Sequence, residues 1–220
     1  MNEFKNRISA HFLYNWIVYI AAAIVVVLLW TFLFGVIWQK KDNEKLAVFI
    51  SAPNNDMVKV YNYVFDKLQT KGIKELTFDG YSPKNSYYDE VFATRGIIDT
   101  DVIILPQDRA DEAYKGKLCV KLPKDILNMI LPKDKVFEFY EKDGCIYGIK
   151  IYSTTNEKCR YFEDVITYNL KDEKAIDYYL FFNPSSVNIG SLSANKNANH
   201  NDTQAFDLVM LMLQYATNAD

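Results

Sequence analysis

The chain has 220 residues, with 25 basic and 28 acidic side chains, a formal charge of −3 and half of its residues hydrophobic. An acidic balance without a basic patch argues against nucleic acid and anionic lipid, whose binding rests on Lys and Arg against phosphate. Cys119, Cys145 and Cys159 are too few for a disulfide framework and match no zinc spacing. Buried free thiols are the expectation, although Cys145 and Cys159 could pair across a turn.

From Phe12 to Trp38 the sequence reads FLYNWIVYIAAAIVVVLLWTFLFGVIW, without one charge. A membrane-spanning helix needs about 20 such residues, and at ~1.5 Å per residue this run reaches about 40 Å. Tyr14, Trp16 and Tyr19 near one end, and Trp30, Phe34 and Trp38 near the other, are the rings expected at headgroup depth. The small residues Ala21, Ala22 and Ala23 lie in the middle of the run rather than at its end, so an uncleaved anchor is expected and not a signal peptide. The flanking charges, Lys5 and Arg7 before it and Lys40, Lys41 and Lys45 after it, leave the orientation open.

The rest of the chain suits one α/β domain. Lys45 to Ile50 reads as a short apolar strand, and Ser51 to Asp56 as turn and cap residues. Met57, Val60, Tyr61, Val64, Phe65 and Leu68 come next at helical spacing, closed by Lys71 and Gly72. Ile73 to Phe78 is a second strand, and strand, helix and strand make a βαβ unit with parallel strands. Ser86 with Asp89 is a capping-box variant opening a helix over Tyr87 to Arg95, ended by Gly96. Asp101 to Leu105 is a third, wholly apolar strand. The expected architecture is a three-layer domain with a mainly parallel sheet covered on both faces.

Cys145 to Tyr152, Val165 to Leu170 and Tyr178 to Phe182 read as strands of an antiparallel or mixed second half. Ser193 to Asp202 is polar and Asn-rich, and is expected as a mobile loop. A last helix is expected from Asp202 or Thr203, with Leu208 to Leu213 buried.

Catalytic signals are weak. Neither a phosphate loop nor a dinucleotide glycine fingerprint is present, and His11 and His200 have no triad or metal partner nearby in sequence. Asp99, Asp101, Asp108, Asp111 and Glu112 could bind calcium or serve acid–base chemistry, but solvated charge is the expected reading. No catalytic residue, metal or cofactor is assigned.

In open α/β sheets, ligands bind outside the carboxyl ends of the strands. Ser51, Asn54, Asn55, Tyr81, Ser82, Gln107 and Asp108 stand there, and the helix amino terminus after Asn55 offers backbone N–H groups. This rim suits a sugar, a peptide or another small polar solute. Taken singly, each of these residues also reads as an ordinary turn or cap residue.

The succession from the first strand to YYDEVFATRGIIDTDVIIL resembles the first lobe of extracellular solute-binding proteins of ABC importers. Thr100-Asp101-Val102-Ile103 is similar to that family's start of the third strand. Asp143-Gly144-Cys145-Ile146-Tyr147-Gly148-Ile149 is similar to its Asp-Gly-Lys-x-Tyr-Gly-Ile-Pro, with Lys150 in place of the proline. Lys117 to Ile126, KLCVKLPKDI, resembles the stretch leading to a short helix. The resemblance covers Leu46 to Ile151, and adds Tyr147 to the ligand-binding candidates. Family members clamp solute between two lobes, whereas the residues after Ile151 are too few for a second one.

The resemblance implies a cytoplasmic tail (1–11), a transmembrane anchor (12–38), a linker (39–45) and an extracytoplasmic domain (46–220). In that domain, 46–151 is lobe-like and 152–220 completes it. The implied function is a single-pass solute-binding-like module, with an ABC permease or another membrane protein as partner. A structural or interaction domain without a small ligand is the alternative, and an enzyme is a third class. With one wall only, affinity for sugars and short peptides is expected no tighter than about millimolar.

Overall fold

The computed structural model describes residues 2–37, 40–53, 55–166 and 176–218. It divides into two compact units, residues 1–41 and 42–220. The first is one helix, α1 (Asn2–Ile37). Every side chain from Trp16 to Gly35 is exposed, and this stretch is long and apolar enough to cross a membrane. An exposed apolar stretch of this length is compatible with a membrane anchor or a signal sequence.

The second unit is a three-layer α/β domain around a six-stranded sheet of order β2-β1-β3-β6-β5-β4. Its strands are β1 (Lys45–Ser51), β2 (Glu75–Tyr81), β3 (Val102–Pro106), β4 (Phe139–Lys142), β5 (Cys145–Tyr152) and β6 (Tyr178–Phe182). β1 is parallel to β2 and to β3, as the βαβ spacing predicts. The other three pairings are antiparallel, so the sheet is mixed rather than mainly parallel. The reason is local: β4 and β5 are joined by the tight turn Asp143-Gly144, where both residues have positive φ, and β6 returns beside β3 against its direction.

One face carries Leu46, Val48, Ile50, Ile104, Leu180 and Phe182 against α2 (Val58–Gln69), α5 (Lys124–Ile130) and α7 (Gln204–Asn218). The other face carries Phe49, Ile103, Leu105, Tyr179 and Phe181 against α3 (Tyr88–Val91) and α4 (Gln107–Lys115). The strict alternation along β3 and β6 is the period-two signature of a sheet buried on both sides. Leu208, Val209, Leu211, Met212 and Leu213 are buried, as expected of the last helix.

Several local expectations are corrected. α2 begins at Val58, whose N–H is taken by Asp56 Oδ1 at 3.2 Å, so Asn55 is not its cap. Asn85 Oδ1, not Ser86, receives the Tyr87 N–H at the start of α3. α3 then widens into a π-helical turn, Phe92–Gly96. There Phe92 stacks on Tyr88 and packs at a tilt against Phe49, and a Cβ on Gly96 would stand 2.5 Å from the Phe92 ring. Val165 and Ile166 belong to a short helix, α6 (Glu163–Ile166), instead of opening a strand; the remainder of that expected strand lies outside the described residues. Edge strand β4 was not anticipated. All three cysteines are free: Cys145 opens β5 and Cys159 lies beyond the far end of that strand. Ser193 to Asp202 is a loop stitched by Asx and Ser turns, with Asn195 and Asn199 accepting the N–H groups of Asn197 and Asn201.

Candidate functional site

The strand order puts a topological switch point between β1 and β3, the place where open α/β sheets bind ligands. At their carboxyl ends β6 begins and β5 finishes, because both neighbours run antiparallel to β6. The chain therefore leaves the sheet at Tyr152 and re-enters it at Tyr178 on the same rim.

The first residues of that excursion hang on an ion network. Lys150 Nζ lies 2.6 Å from Glu138 Oε2 and 2.9 Å from Asp177 Oδ2, with its side chain 12% exposed and that of Asp177 10%. Asp177 Oδ1 accepts both the N–H and the hydroxyl of Thr154, at 2.8 and 2.7 Å. Glu138 Oε1 accepts from Asn156 Nδ2 at 2.6 Å, and Asn156 Oδ1 caps the turn Glu157–Cys159 through Lys158 N–H. Burial opposes the Lys150 charge, but the bonds to Glu138 and Asp177 outweigh it and hold the ammonium above its usual range. Burial likewise works against the Asp177 charge. The Thr154 and Lys150 bonds prevail, and the carboxyl stays below the usual range. Glu138 is held low by Lys150 and Asn156. A lone lysine between Ile149 and Ile151 was the sequence's signal for such a partner set.

The excursion forms one wall of a cleft of about 780 Å³. Glu157, Lys158, Arg160, Tyr161, Glu163 and Val165 line that side. Asp56 and Lys59 at the start of α2, Asp134 to Val136 before β4, and Tyr215 and Ala216 at the end of α7 line the rest. The walls are tied together: Asp56 N–H donates to Val165 O at 3.0 Å. Arg160 is fixed by donating Nε to Ser153 O and Nη2 to Thr154 O, at 3.2 and 3.4 Å. The volume lies within the range of small-ligand sites.

Among the described residues, none of those expected from sequence lines this cleft. Ser51 is buried at the end of β1, where its hydroxyl accepts from Tyr88 Oη at 2.8 Å. Asn54 lies outside the described residues. Asn55 covers Gly80, whose lack of a side chain permits the contact, so it joins the ends of β1 and β2. Tyr81 and Ser82 are half-buried, and Ser82 Oγ takes Lys84 N–H in a turn. Gln107 and Asp108 are exposed in the first turn of α4, where Gln107 N–H donates to Asp177 O at 2.9 Å. Tyr147 is half-buried in β5, its ring edge-on to Tyr114 at 4.9 Å. The structure thus brings Ser51, Asn55, Tyr81, Ser82, Gln107 and Asp108 to strand ends, as parts of turns and packing.

The carboxylates read as a cluster are dispersed. Asp101 is buried at the amino edge, Asp111 pairs with Tyr140 and Lys142, and Glu112 pairs with Arg109. Among the described residues no group of three or more His, Cys, Asp or Glu could hold a metal ion. The sequence matches no protein-family model and no curated protein.

Proposed function

We propose that this chain is a single-pass membrane protein whose α/β domain lies outside the membrane and captures a small polar solute in the rim cleft. In this reading it is a single-lobe relative of the solute-binding proteins of ABC importers, serving as an accessory to a permease or another membrane protein. The observation that carries it is a cleft of about 780 Å³ lined by residues that follow β1 and β5 and precede β4. Support also comes from the exit and return of the chain at the carboxyl edge of the sheet, where a second lobe would emerge. Here residues 153–166 stand in its place and supply a low wall. The module acts as a binder, with no catalytic residue assigned.

An open cleft leaves part of the ligand in water, so the affinity expected is no tighter than about millimolar. Titration calorimetry of the full chain in nanodiscs against sugars, amino acids and short peptides tests the reading. A ligand weakened by changes at Arg160 supports it. Silence across the panel favours the structural, ligand-free alternative. Protease added to intact cells tests the orientation: digestion of the domain is expected, and full protection until lysis overturns it.

A further inference from the structure

The cleft's charges narrow the ligand class. Four cationic side chains (Lys59, Lys135, Lys158 and Arg160) face four anionic ones (Asp56, Asp134, Glu157 and Glu163). Both signs occur on each of three walls: Asp56 with Lys59, Asp134 with Lys135, and Glu157 and Glu163 with Lys158 and Arg160. A ligand of one sign meets as many like charges as opposite ones, so the lining gives it no net attraction. A ligand carrying both signs gains at both ends and is oriented by them.

Two of these charges are preset by the backbone. The Arg160 guanidinium is held by the carbonyls of Ser153 and Thr154 and leaves Nη1 only loosely paired, 3.6 Å from Glu163. A planar fork of this kind suits a carboxylate. Asp56 is half-buried, fixed by its own N–H to Val165 O and by Val58 N–H to Oδ1. Its other oxygen has no hydrogen-bond partner among the described residues. It stands just before α2, which begins at Val58, and it can accept an ammonium. Tyr161, Tyr215, Val165 and Ala216 supply apolar surface between them. At about 780 Å³ the space exceeds what one amino acid fills.

We propose that the cleft takes a short zwitterionic peptide, its carboxylate on Arg160 and its ammonium on Asp56. This rests on the solute-binding reading above. Capture of a peptide's terminal charge is a recognition mode that needs no contact with a particular side chain of the ligand.

The test is a charge-by-charge titration of the full chain in nanodiscs with trialanine, N-acetyl-trialanine, trialanine amide and maltotriose. Free trialanine should bind tightest, and blocking either end should weaken it about tenfold. In Asp56→Asn, which keeps the acceptor for Val58 N–H, acetylation should cost nothing further. In Arg160→Gln, amidation should cost nothing further. The blocked peptides probe the unaltered protein, so the result does not depend on either variant folding. Maltotriose or a blocked peptide binding as tightly as trialanine overturns the zwitterion assignment and leaves the solute-binding reading standing. Failure of all four probes to bind overturns both.

Discussion

The two edges of the sheet are closed by different chemistry. At the amino edge a single buried carboxylate, Asp101, accepts from Ala47 N–H, Ser186 Oγ and Asn188 Nδ2 at 2.9, 2.5 and 2.9 Å. It joins β1, β3 and the loop after β6 using neutral donors only. At the carboxyl edge an ammonium lies between two carboxylates, and the hydrogen bonds around them reach into the cleft wall. The amino edge is a knot of hydrogen bonds around one buried carboxyl group. The carboxyl edge keeps charge near water, which is where recognition of a polar solute can be built.

Asp101→Ala should have the largest effect. It leaves Ala47 N–H and the Ser186 hydroxyl without their acceptor, while Asn188 Nδ2 keeps Lys45 O, at a cost of about 3–5 kcal/mol in stability, read as a shifted urea midpoint with unchanged slope. Lys150→Met should cost about 2–3 kcal/mol, because it leaves Glu138 and Asp177 facing each other without a cation. It should also raise hydrogen exchange across 153–166 while sparing the amino edge. Equal exchange at both edges would show that the rim network is not what holds the excursion.

Acid and base should act oppositely on the two edges. Burial pushes Asp101 above the usual carboxylate range despite its three bonds. The native state then holds that proton more readily than the unfolded chain. Its contribution is full below about pH 4 and declines as pH rises through the raised value. Asp177 and Glu138 are held low, so theirs is full above about pH 4 and is lost as pH falls through the lowered values. Asp101→Asn should flatten the loss of stability above pH 4, and Asp177→Asn the loss below it, both measured by denaturation across pH. The smallest effect is expected from Gly80→Ala. The new Cβ displaces the Asn55 side chain, which is free to turn, for under about 1 kcal/mol.

The first half of the fold was readable because its signals are local. KLAVFI, the helical spacing of Val60, Val64 and Leu68, and DVIIL each fall on the element they announce. Gly72, with φ of +91°, closes α2 as expected. The second half was less so. β4 has four residues and a bulge, and its pairing is set by a partner rather than by its own pattern. The cleft was not readable at all. Its walls come from residues 56–59, 134–136, 157–165 and 215–216, which only the mixed topology brings together. Ser51 reads as an available hydroxyl at a strand end, and its bond from Tyr88, distant in sequence, was not legible.

The first strand after the apolar helix is β1, which lies inside the sheet with ladders on both sides. A pull applied at Lys45 along the strand would act lengthwise on β1. Its seven register pairs with β2 and three with β3 are loaded together, so they must shear as a set rather than unzip one at a time. An edge strand in that place would peel.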